Sequence, residues 1–213
     1  MSLRDRRVQY ETAGLERTDL DSDPIAQWHA WYEQAASAGV AEPNAMSVAT
    51  IDQNSAPDSR VVLARAVDAR GFVFYTNYES AKSRQLAVNP VASAVFAWLD
   101  LHRQVRVRGT VQKISDSESD EYFASRPRES QIGAWASPQS QPIADRTIIE
   151  ARVAEFRAKF ENSDVPRPAS WGGWCLVPSS IEFWQGRPSR LHDRFVYDLN
   201  HATKQWQIQR LAP

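Results

Sequence analysis

A hydroxyl, a guanidinium and a second hydroxyl recur at four-residue spacing near the middle of this sequence. Tyr122 and Arg126 are four residues apart, so they share one face of a helix. Pro127 places Arg126 at a helix boundary, and Ser130 falls in the first turn of the helix that follows. Groups of this kind at a helix N-terminus can bind a phosphate. The alternative is an exposed helix face with a cap, and residue types alone favour that alternative.

Two further cationic clusters could bind an anionic ligand. Arg60 and Arg65 stand at the two ends of an apolar segment. Arg190, His192 and Arg194 fall within five residues and follow an aromatic segment, so they could line the pocket of a flat ligand. The alternatives are strand-end charges that face solvent for the first pair, and a charged loop between strands for the second group. Residue types alone favour these alternatives as well.

The composition excludes several classes of protein. The 25 Lys and Arg residues nearly balance the 26 Asp and Glu residues, whereas a general nucleic-acid binder needs a basic surplus. No apolar stretch reaches the roughly 20 residues of a membrane-spanning helix, and the charged first residues do not resemble a secretory signal. The single Cys175 cannot form an internal disulfide, and no Cys/His spacing indicates a metal site. We therefore expect a soluble, cytoplasmic protein.

The sequence also lacks the short motifs of several enzyme classes. It contains none of the patterns that mark nucleotide-binding loops, serine hydrolases or zinc proteases. Its four histidines are scattered, and no spacing indicates a nucleophile beside a base. We therefore expect a reaction that depends on a cofactor, to which the protein contributes positioning and charge.

The hydrophobic pattern predicts short strands interrupted by helices. Asp23 and Pro24 form a helix-start signal, and Val105 and Val107 alternate with polar residues as in a strand with one polar face. The predicted strands span 45–52, 59–66, 72–76, 91–98, 103–114, 174–177, 181–184, 194–197 and 206–209. The predicted helices span 24–38, 80–89, 115–125, 127–135 and 145–160.

This succession of elements predicts a mainly β fold with α additions, in the form of an antiparallel β-barrel decorated by helices. Residues 1–22 have no convincing periodicity, and we expect a flexible arm or one that orders against another part of the structure. Residues 23–213 are expected to form a single domain. Core packing is the expected role of the eight tryptophans when each is considered alone.

Longer segments of the chain match a known pattern in their order. They are Arg60-Val-Val-Leu63, Phe74-Tyr-Thr-Asn77, Arg103-Gln-Val105, Ser125-Arg-Pro-Arg128, Ser130-Gln-Ile-Gly-Ala-Trp135, Gln139-Ser140, Trp171-Gly-Gly173, Glu182-Phe-Trp-Gln-Gly186, Arg190-Leu-His-Asp-Arg194 and the terminal Arg-Leu-Ala-Pro. With these segments the chain closely resembles the pyridoxine/pyridoxamine 5′-phosphate oxidase family, from Tyr10 to Pro213. Their joint presence and order carry the resemblance.

The resemblance implies an FMN-binding split-barrel fold and a homodimer that holds each FMN between its subunits. It also implies a reaction. Pyridoxine 5′-phosphate or pyridoxamine 5′-phosphate loses a hydride from its C4′ carbon to flavin N5, and the product is pyridoxal 5′-phosphate. Molecular oxygen then reoxidises the flavin and gives hydrogen peroxide, and the amine substrate releases ammonia.

The resemblance further assigns residues of this chain to the two ligands. The implied FMN contacts are Arg60, Val61, Val62, Leu63, Ala64, Arg65, Tyr75, Thr76, Lys82, Gln104, Gln139, Ser140, Trp184 and Arg194. The implied substrate contacts are Arg7, Tyr10, Arg65, Tyr122, Arg126, Ser130, Arg190, Leu191 and His192. Arg190 and His192 match residues that lie against the pyridine ring and are the catalytic candidates. Arg7 and Tyr10 match a mobile N-terminal lid.

Two departures from the family pattern concern cationic positions. Arg65 stands where the family usually has lysine, and Ala81 stands where it often has arginine. Arg65 keeps the positive charge, whereas Ala81 implies that one contact to the FMN phosphate is either missing or supplied by another residue. Two other functions remain open, namely a split-barrel flavoprotein that oxidises another substrate, such as a phenazine precursor, and a non-catalytic carrier of flavin or pyridoxal phosphate. The presence of the substrate-phosphate residues favours the oxidase.

Overall fold

The computed structural model describes residues 2, 10 and 12–213 of the chain. Five α-helices lie within these residues: α1 (Pro24–Ser37), α2 (Ala81–Val88), α3 (Asp116–Ser125), α4 (Arg128–Ala136) and α5 (Arg146–Lys159). Nine strands accompany them: β1 (Ala45–Ile51), β2 (Pro57–Leu63), β3 (Ala66–Asp68), β4 (Gly71–Asn77), β5 (Val91–Trp98), β6 (Arg103–Lys113), β7 (Trp171–Gln185), β8 (Asp193–Asn200) and β9 (Gln205–Leu211). The predicted mainly antiparallel β fold with helical additions is confirmed.

Local sequence signals explain where the helices begin. The Asp23 carboxylate accepts a hydrogen bond from the backbone N–H of Ile25 at 3.0 Å, and Pro24 occupies the first helical position of α1. Asp145 caps α5 in the same way, through the backbone N–H of Thr147 at 2.8 Å. The observed first residues of α1 and α5 lie within one residue of the helix starts predicted from the sequence.

All nine strands belong to one sheet whose order is β2-β1-β5-β6-β7-β4-β3, with β8 paired to β7 and β9 paired to β8. Every pairing in it is antiparallel. The first half of β7 pairs with β4, the second half pairs with β8, and β6 runs along both halves. Strand β7 is therefore the element to which both halves of the sheet are attached.

Two predicted strand boundaries are wrong. The predicted strands 174–177 and 181–184 are parts of the single strand β7, and Pro178 between them lies opposite Gly109 where the register shifts. Proline is tolerated at such a bulge because the ladder is interrupted there. The predicted strand 59–66 is divided, because the chain leaves β2 after Leu63 and the backbone N–H of Arg65 donates to the Val73 carbonyl of β4.

Most of the apolar side chains form one core beneath the sheet, and a smaller cluster lies among the last three helices. Trp28, Trp31, Trp98 and Trp174 are buried in the main core, as predicted. The smaller cluster comprises Phe123, Ile132, Phe160, Val165 and Trp171. This second cluster fixes α3 and α4, which carry the candidate phosphate-binding residues, against the first residues of β7.

The segment from Thr12 to Ser22 lies against β8 and β9. Leu15 and Leu20 are buried, and the backbone N–H of Leu15 donates to the Asp193 carboxylate at 3.0 Å. Arg7 lies outside the described residues, so the motion of the arm as a lid stays a prediction.

None of the helices in the described ranges combines the length and the apolar character needed to cross a membrane. A cytoplasmic location likewise stays a prediction.

The close approach of β6 and β7 at the bulge predicts that Gly109→Ala destabilises the fold. A Cβ atom at Gly109 would lie 1.9 Å from the Val177 carbonyl oxygen and 2.9 Å from the Pro178 Cα. Backbone atoms cannot move aside as a side chain can, so we expect a loss of about 3 kcal/mol in the free energy of unfolding in urea.

Gly133→Ala is the matched control for this substitution. Gly133 lies in α4, and a Cβ atom there would meet no atom within 4 Å. Alanine favours the helix over glycine, so the control should gain up to about 1 kcal/mol. Equal stability of the Gly109→Ala variant and the wild type would contradict the tight approach.

Candidate active site

A cavity of about 500 Å³ lies between β2, β4, α2, the α3–α4 pair and the start of β7. It brings together eleven of the residues assigned to the two ligands from the sequence. They are Val61, Val62, Leu63, Arg65, Tyr75, Thr76, Lys82, Tyr122, Arg126, Ser130 and Gln139. The candidate phosphate-binding residues of α3 and α4 thus share one cavity with those of β4 and α2.

The cavity carries an excess of positive charge. Arg65, Lys82 and Arg126 line it, and no aspartate or glutamate does. Within the described residues, none of the three cations takes part in an ion pair. Because cations gathered without acidic partners repel one another, this arrangement favours a bound anion.

The burial of Arg126 leaves one of its nitrogens unpaired in the described part of the chain. Its Nη1 atom is buried and has no hydrogen-bond partner among the described residues. Burial, followed by the nearby charge of Arg65, lowers the pKa of Arg126. An unpartnered buried guanidinium N–H is costly, and a phosphate oxygen would satisfy it with a charge-assisted bond. The donor set therefore fits a phosphorylated ligand.

Parallel aromatic rings form one wall of the cavity. The rings of Tyr75 and Tyr122 stack with centroids 3.8 Å apart, and the ring of Trp171 stacks on Tyr75 at 5.5 Å. Burial raises the pKa of Tyr75 to about 12, so its hydroxyl is protonated at neutral pH. This wall offers both a flat apolar surface and hydroxyl groups to a ligand.

Lys82 on α2 reaches the end of β4. Its Nζ donates to the Thr76 hydroxyl at 3.0 Å, and that hydroxyl donates to the Gln139 side-chain carbonyl at 3.2 Å. Burial lowers the pKa of Lys82, and the positive charge of Arg60 lowers it further. Lys82 is therefore a partly desolvated ammonium group that would gain stability from an anion.

Six implied FMN residues do not line this cavity, and three of these are Arg60, Ala64 and Ser140. Arg60 is not among its lining residues; its guanidinium donates to the Thr50 hydroxyl at 2.6 Å and pairs with Asp58. Ala64 is buried and lines a different cavity. Ser140 is exposed in a turn, with a φ of 67°.

A second group of implied FMN residues lies on the sheet beside the second half of β7. Gln104 of β6 and Arg194 of β8 are the two cross-strand neighbours of Trp184. Glu182 precedes Trp184 by two residues, and its buried carboxylate accepts from Arg194 at 2.8 Å and from Arg106 at 3.0 Å. The buried carboxylate thus fixes the Arg194 guanidinium next to Trp184.

His192 and Tyr10 join this second group. The His192 ring lies 4.5 Å from the Trp184 ring, and the Tyr10 ring lies 5.9 Å from that of His192. The backbone N–H of Arg187 donates to His192 Nδ1 at 3.1 Å, so the proton of the neutral imidazole is on Nε2. Burial and then the charge of Arg190 lower the pKa of His192, which favours that neutral form.

Arg190 and Leu191 lie in the loop between β7 and β8. Both are exposed, and Arg190 has a φ of 63°. Leu191 retains 67% of its accessible surface, which is high for a large apolar side chain.

The two groups of site residues lie at opposite ends of β7. Tyr75 of the first group pairs with Gly173, whereas Gln104 of the second group pairs with Trp184, eleven residues further along the strand. At the usual rise per residue this is roughly 36 Å of extended chain. In the part of the chain that the structure describes, no hydrogen bond, ion pair or ring contact joins the two groups.

Five residues that line the cavity were not assigned to a ligand from the sequence, and neither was Glu182 of the second group. The five are Asn77, Gly133, Ala134, Ser137 and Trp171. Trp171 was assigned to core packing, yet it lines the cavity beside Arg126. Glu182 was matched only as part of a motif, and its bond to Arg194 depends on the pairing of β7 with β8. The signal in the sequence was the pair of glycines directly after Trp171. In the structure a Cβ atom at Gly172 would lie 2.3 Å from the Tyr78 hydroxyl, so the chain packs closely at this point.

Comparison with known families accounts for nearly the whole chain. A family model described as pyridoxamine 5′-phosphate oxidase matches residues 32–160. A second, described as the pyridoxine 5′-phosphate oxidase C-terminal dimerisation region, matches residues 171–213 and supports a homodimer. Pyridoxine/pyridoxamine 5′-phosphate oxidases from Burkholderia mallei and Burkholderia thailandensis are each 52% identical over 213 residues, covering 100% of this chain and 99% of the relative.

Solved structures agree with this assignment. PhzG from Burkholderia lata, in complex with tetrahydrophenazine-1-carboxylic acid, has a TM-score of 0.89 at 30% identity and covers 97% of this chain and 100% of its own. A pyridoxamine 5′-phosphate oxidase-related, FMN-binding protein from Nostoc punctiforme has a TM-score of 0.69 at 16% identity, with coverages of 87% and 97%, and bears on the fold alone. The predicted split-barrel fold is confirmed, and the chain belongs to the pyridoxamine 5′-phosphate oxidase family.

Proposed function

We propose that this chain is an FMN-dependent oxidase that converts pyridoxine 5′-phosphate or pyridoxamine 5′-phosphate to pyridoxal 5′-phosphate. FMN is the cofactor that the family assignment supports. The observation that carries the proposal is the cavity with three cations and no acidic residue, in which the buried Nη1 of Arg126 has no partner among the described residues. A site with this charge suits two phosphorylated ligands better than one neutral ligand.

The polar residues of the cavity fall into two sets, each of which contains one cation. Lys82 and Thr76, beside Gln139, suit the phosphate and ring edge of the cofactor. Arg126 and Ser130, beside the start of α4, suit the phosphate of the substrate. Arg65 lines the same cavity and can serve either phosphate. FMN supplies, when bound, the acceptor for a hydride from the substrate C4′ carbon and the route of the electrons to molecular oxygen, which gives hydrogen peroxide.

The groups of this chain contribute mainly position and charge. Arg126 binds the substrate phosphate and thereby fixes one end of the pyridine ring. His192, neutral and protonated on Nε2, donates a hydrogen bond to a ring substituent. Arg190 lies over the ring face and holds C4′ towards the cofactor. Such fixed orientation can supply a large part of the rate enhancement without a covalent bond to the protein.

We further propose that each complete site uses both subunits. The cavity group and the group around Trp184 are separated by eleven residues of β7 within one chain. A mononucleotide is too short to contact both groups of the same chain. The homodimer that the C-terminal family match supports would place the Trp184, Arg190 and His192 group of one subunit over the Arg126 cavity of the other.

A second candidate function is the oxidation of a phenazine precursor. The structural similarity to PhzG favours it, because that protein was solved with tetrahydrophenazine-1-carboxylic acid, a ligand without phosphate. The Tyr122, Arg126 and Ser130 group, which suits phosphate, favours the B6 oxidase instead. A non-catalytic carrier of flavin or pyridoxal phosphate would bind the ligands without turnover.

The first prediction from the proposed function compares phosphorylated and unphosphorylated substrates. The FMN-loaded protein should oxidise pyridoxine 5′-phosphate with equal amounts of peroxide and pyridoxal 5′-phosphate formed. Its kcat/KM for pyridoxine should be lower by about 100-fold, because the charge-assisted bonds to the phosphate are lost. Turnover of a reduced phenazine carboxylate alone would support the second function, and ligand binding without turnover would support the carrier.

The second prediction concerns Lys82 and the pH dependence of FMN binding. A lowered pKa means that the ammonium group loses its charge below the usual lysine pKa of about 10.4, so FMN affinity should fall as pH rises from 8 to 10. Lys82→Met should weaken FMN binding about tenfold at pH 7.5, measured by the quenching of flavin fluorescence.

Lys82→Arg is the matched control, because a guanidinium stays charged over this pH range. Its FMN affinity should be constant between pH 8 and 10. A Lys82→Met variant with the same pH dependence as the wild type would show that another group is responsible.

The third prediction tests the shared site with mixed dimers. Arg126→Ala and Arg190→Ala should each abolish most activity in homodimers. A heterodimer of the two, isolated with two affinity tags, would contain one doubly altered site and one intact site, and should recover about half of the wild-type kcat per dimer.

A heterodimer of Arg126→Ala with Arg65→Ala is the control, because both changes lie in the same cavity group. Each of its sites lacks one cation, so it should stay as inactive as its parents. Failure of the Arg126→Ala and Arg190→Ala pair to recover activity would place both groups in the site of one chain.

A further inference from the structure

We infer that Trp171 is a positioning residue that holds the Arg126 guanidinium ready for a phosphate without neutralising its charge. The inference deepens the proposed function and rests on it, since it takes Arg126 as the group that binds the substrate phosphate. Trp171 is 6% exposed and also lines the cavity, so its ring belongs to both the second hydrophobic cluster and the site.

The guanidinium of Arg126 packs against aromatic rings instead of pairing with a carboxylate of the described residues. Its Cζ lies 4.6 Å from the centroid of the Trp171 ring and 5.5 Å from that of Phe123. Tryptophan is the strongest aromatic partner for a cation, and the contact gains strength where water is excluded. These rings stabilise a half-buried cation that forms no ion pair within the described residues.

Stacked rings hold Trp171 in its orientation. Its ring is within 10° of parallel to Tyr75 and within 5° of parallel to Tyr122, at 5.5 and 6.2 Å. Phe123 contacts the same ring edge-on at 5.1 Å. Because neighbours contact several sides of the indole, Trp171 has little freedom to rotate, and the seat for Arg126 is fixed before a ligand binds.

Arg167 joins the backbone of Trp171 to the helix that ends at Arg126. Its guanidinium donates to the Trp171 carbonyl at 2.7 Å and pairs with Asp120 at 2.6 Å and Asp116 at 2.9 Å, both on α3. The Arg167 side chain is only 10% exposed. Arg167 therefore fixes the distance between the backbone of Trp171 and helix α3, and this places the indole ring against the Arg126 guanidinium.

The nature of the partner decides how strongly Arg126 can bind an anion. A carboxylate would fix the guanidinium equally well, but its charge would cancel the attraction for a phosphate. An aromatic face attracts the cation through its quadrupole and leaves the net charge unchanged. Trp171 consequently favours phosphorylated over unphosphorylated ligands by positioning Arg126, and it does not itself contact the phosphate.

The test measures binding separately from turnover. Trp171→Leu should raise the KM for pyridoxine 5′-phosphate and the Kd for pyridoxal 5′-phosphate about tenfold, and it should change kcat much less than KM. Trp171→Phe, which keeps a smaller ring, should raise both about threefold. The Kd for unphosphorylated pyridoxal should change much less than the Kd for pyridoxal 5′-phosphate in either variant.

Trp135 offers a matched control. It packs against the same cluster, and Lys159 Nζ lies 5.3 Å from its ring, but it does not line the cavity. Trp135→Leu should therefore lower the melting temperature about as much as Trp171→Leu and leave the Kd for pyridoxal 5′-phosphate unchanged. Equal loss of ligand affinity in the two leucine variants would reduce Trp171 to a packing role and overturn the inference.

A double-mutant cycle separates an action through Arg126 from a direct one. In an Arg126→Leu background, Trp171→Leu should no longer change the Kd for pyridoxal 5′-phosphate. The same tenfold loss in both backgrounds would overturn the inference. A wild-type protein that binds pyridoxal 5′-phosphate in this way but oxidises no substrate would refute the proposed oxidase and still support the role of Trp171.

Discussion

The continuous pairing of β6 with β7 is the constraint on which the rest of the structure depends. The ladder extends from Trp174 to Gln185 on β7, with one register shift opposite Gly109. The first end of β7 carries Trp171 and, through Arg167, helix α3, which Arg126 follows directly. The second end of β7 carries the group around Trp184. Because a strand cannot fold back on itself, the ladder fixes the distance between the two groups of functional side chains.

Charge distinguishes the candidate site from the rest of the surface. Several arginines outside the cavity pair with carboxylates, such as Arg70, which pairs with both Asp68 and Glu118. In the cavity, by contrast, Arg65 lies close enough to Arg126 to help lower its pKa, after burial. Unpaired neighbouring cations reduce stability unless something else gains from them. Their retention in one cavity of a folded chain is best explained by anionic ligands.

The sequence predicted the helices and most strands because their signals are local. The cap at Asp23 and the alternation along β6 each involve a few adjacent residues. The continuity of β7 could not be predicted, since Pro178 normally ends a strand and only the bulge on β6 accommodates it. The family resemblance supplied most of the candidate site residues, but not Trp171, whose contact with Arg126 joins segments 45 residues apart.

The segment that the family model describes as a dimerisation region also carries the second group of site residues. Residues 171–213 include Trp184 with its neighbour Arg194, as well as the loop that holds Arg190 and His192. In the arrangement we propose, the strands that join two subunits are also the strands that bring these side chains to the partner's cavity. Assembly and completion of the site are then one event, because the geometry of β7 does not allow a single chain to bring both groups to one ligand.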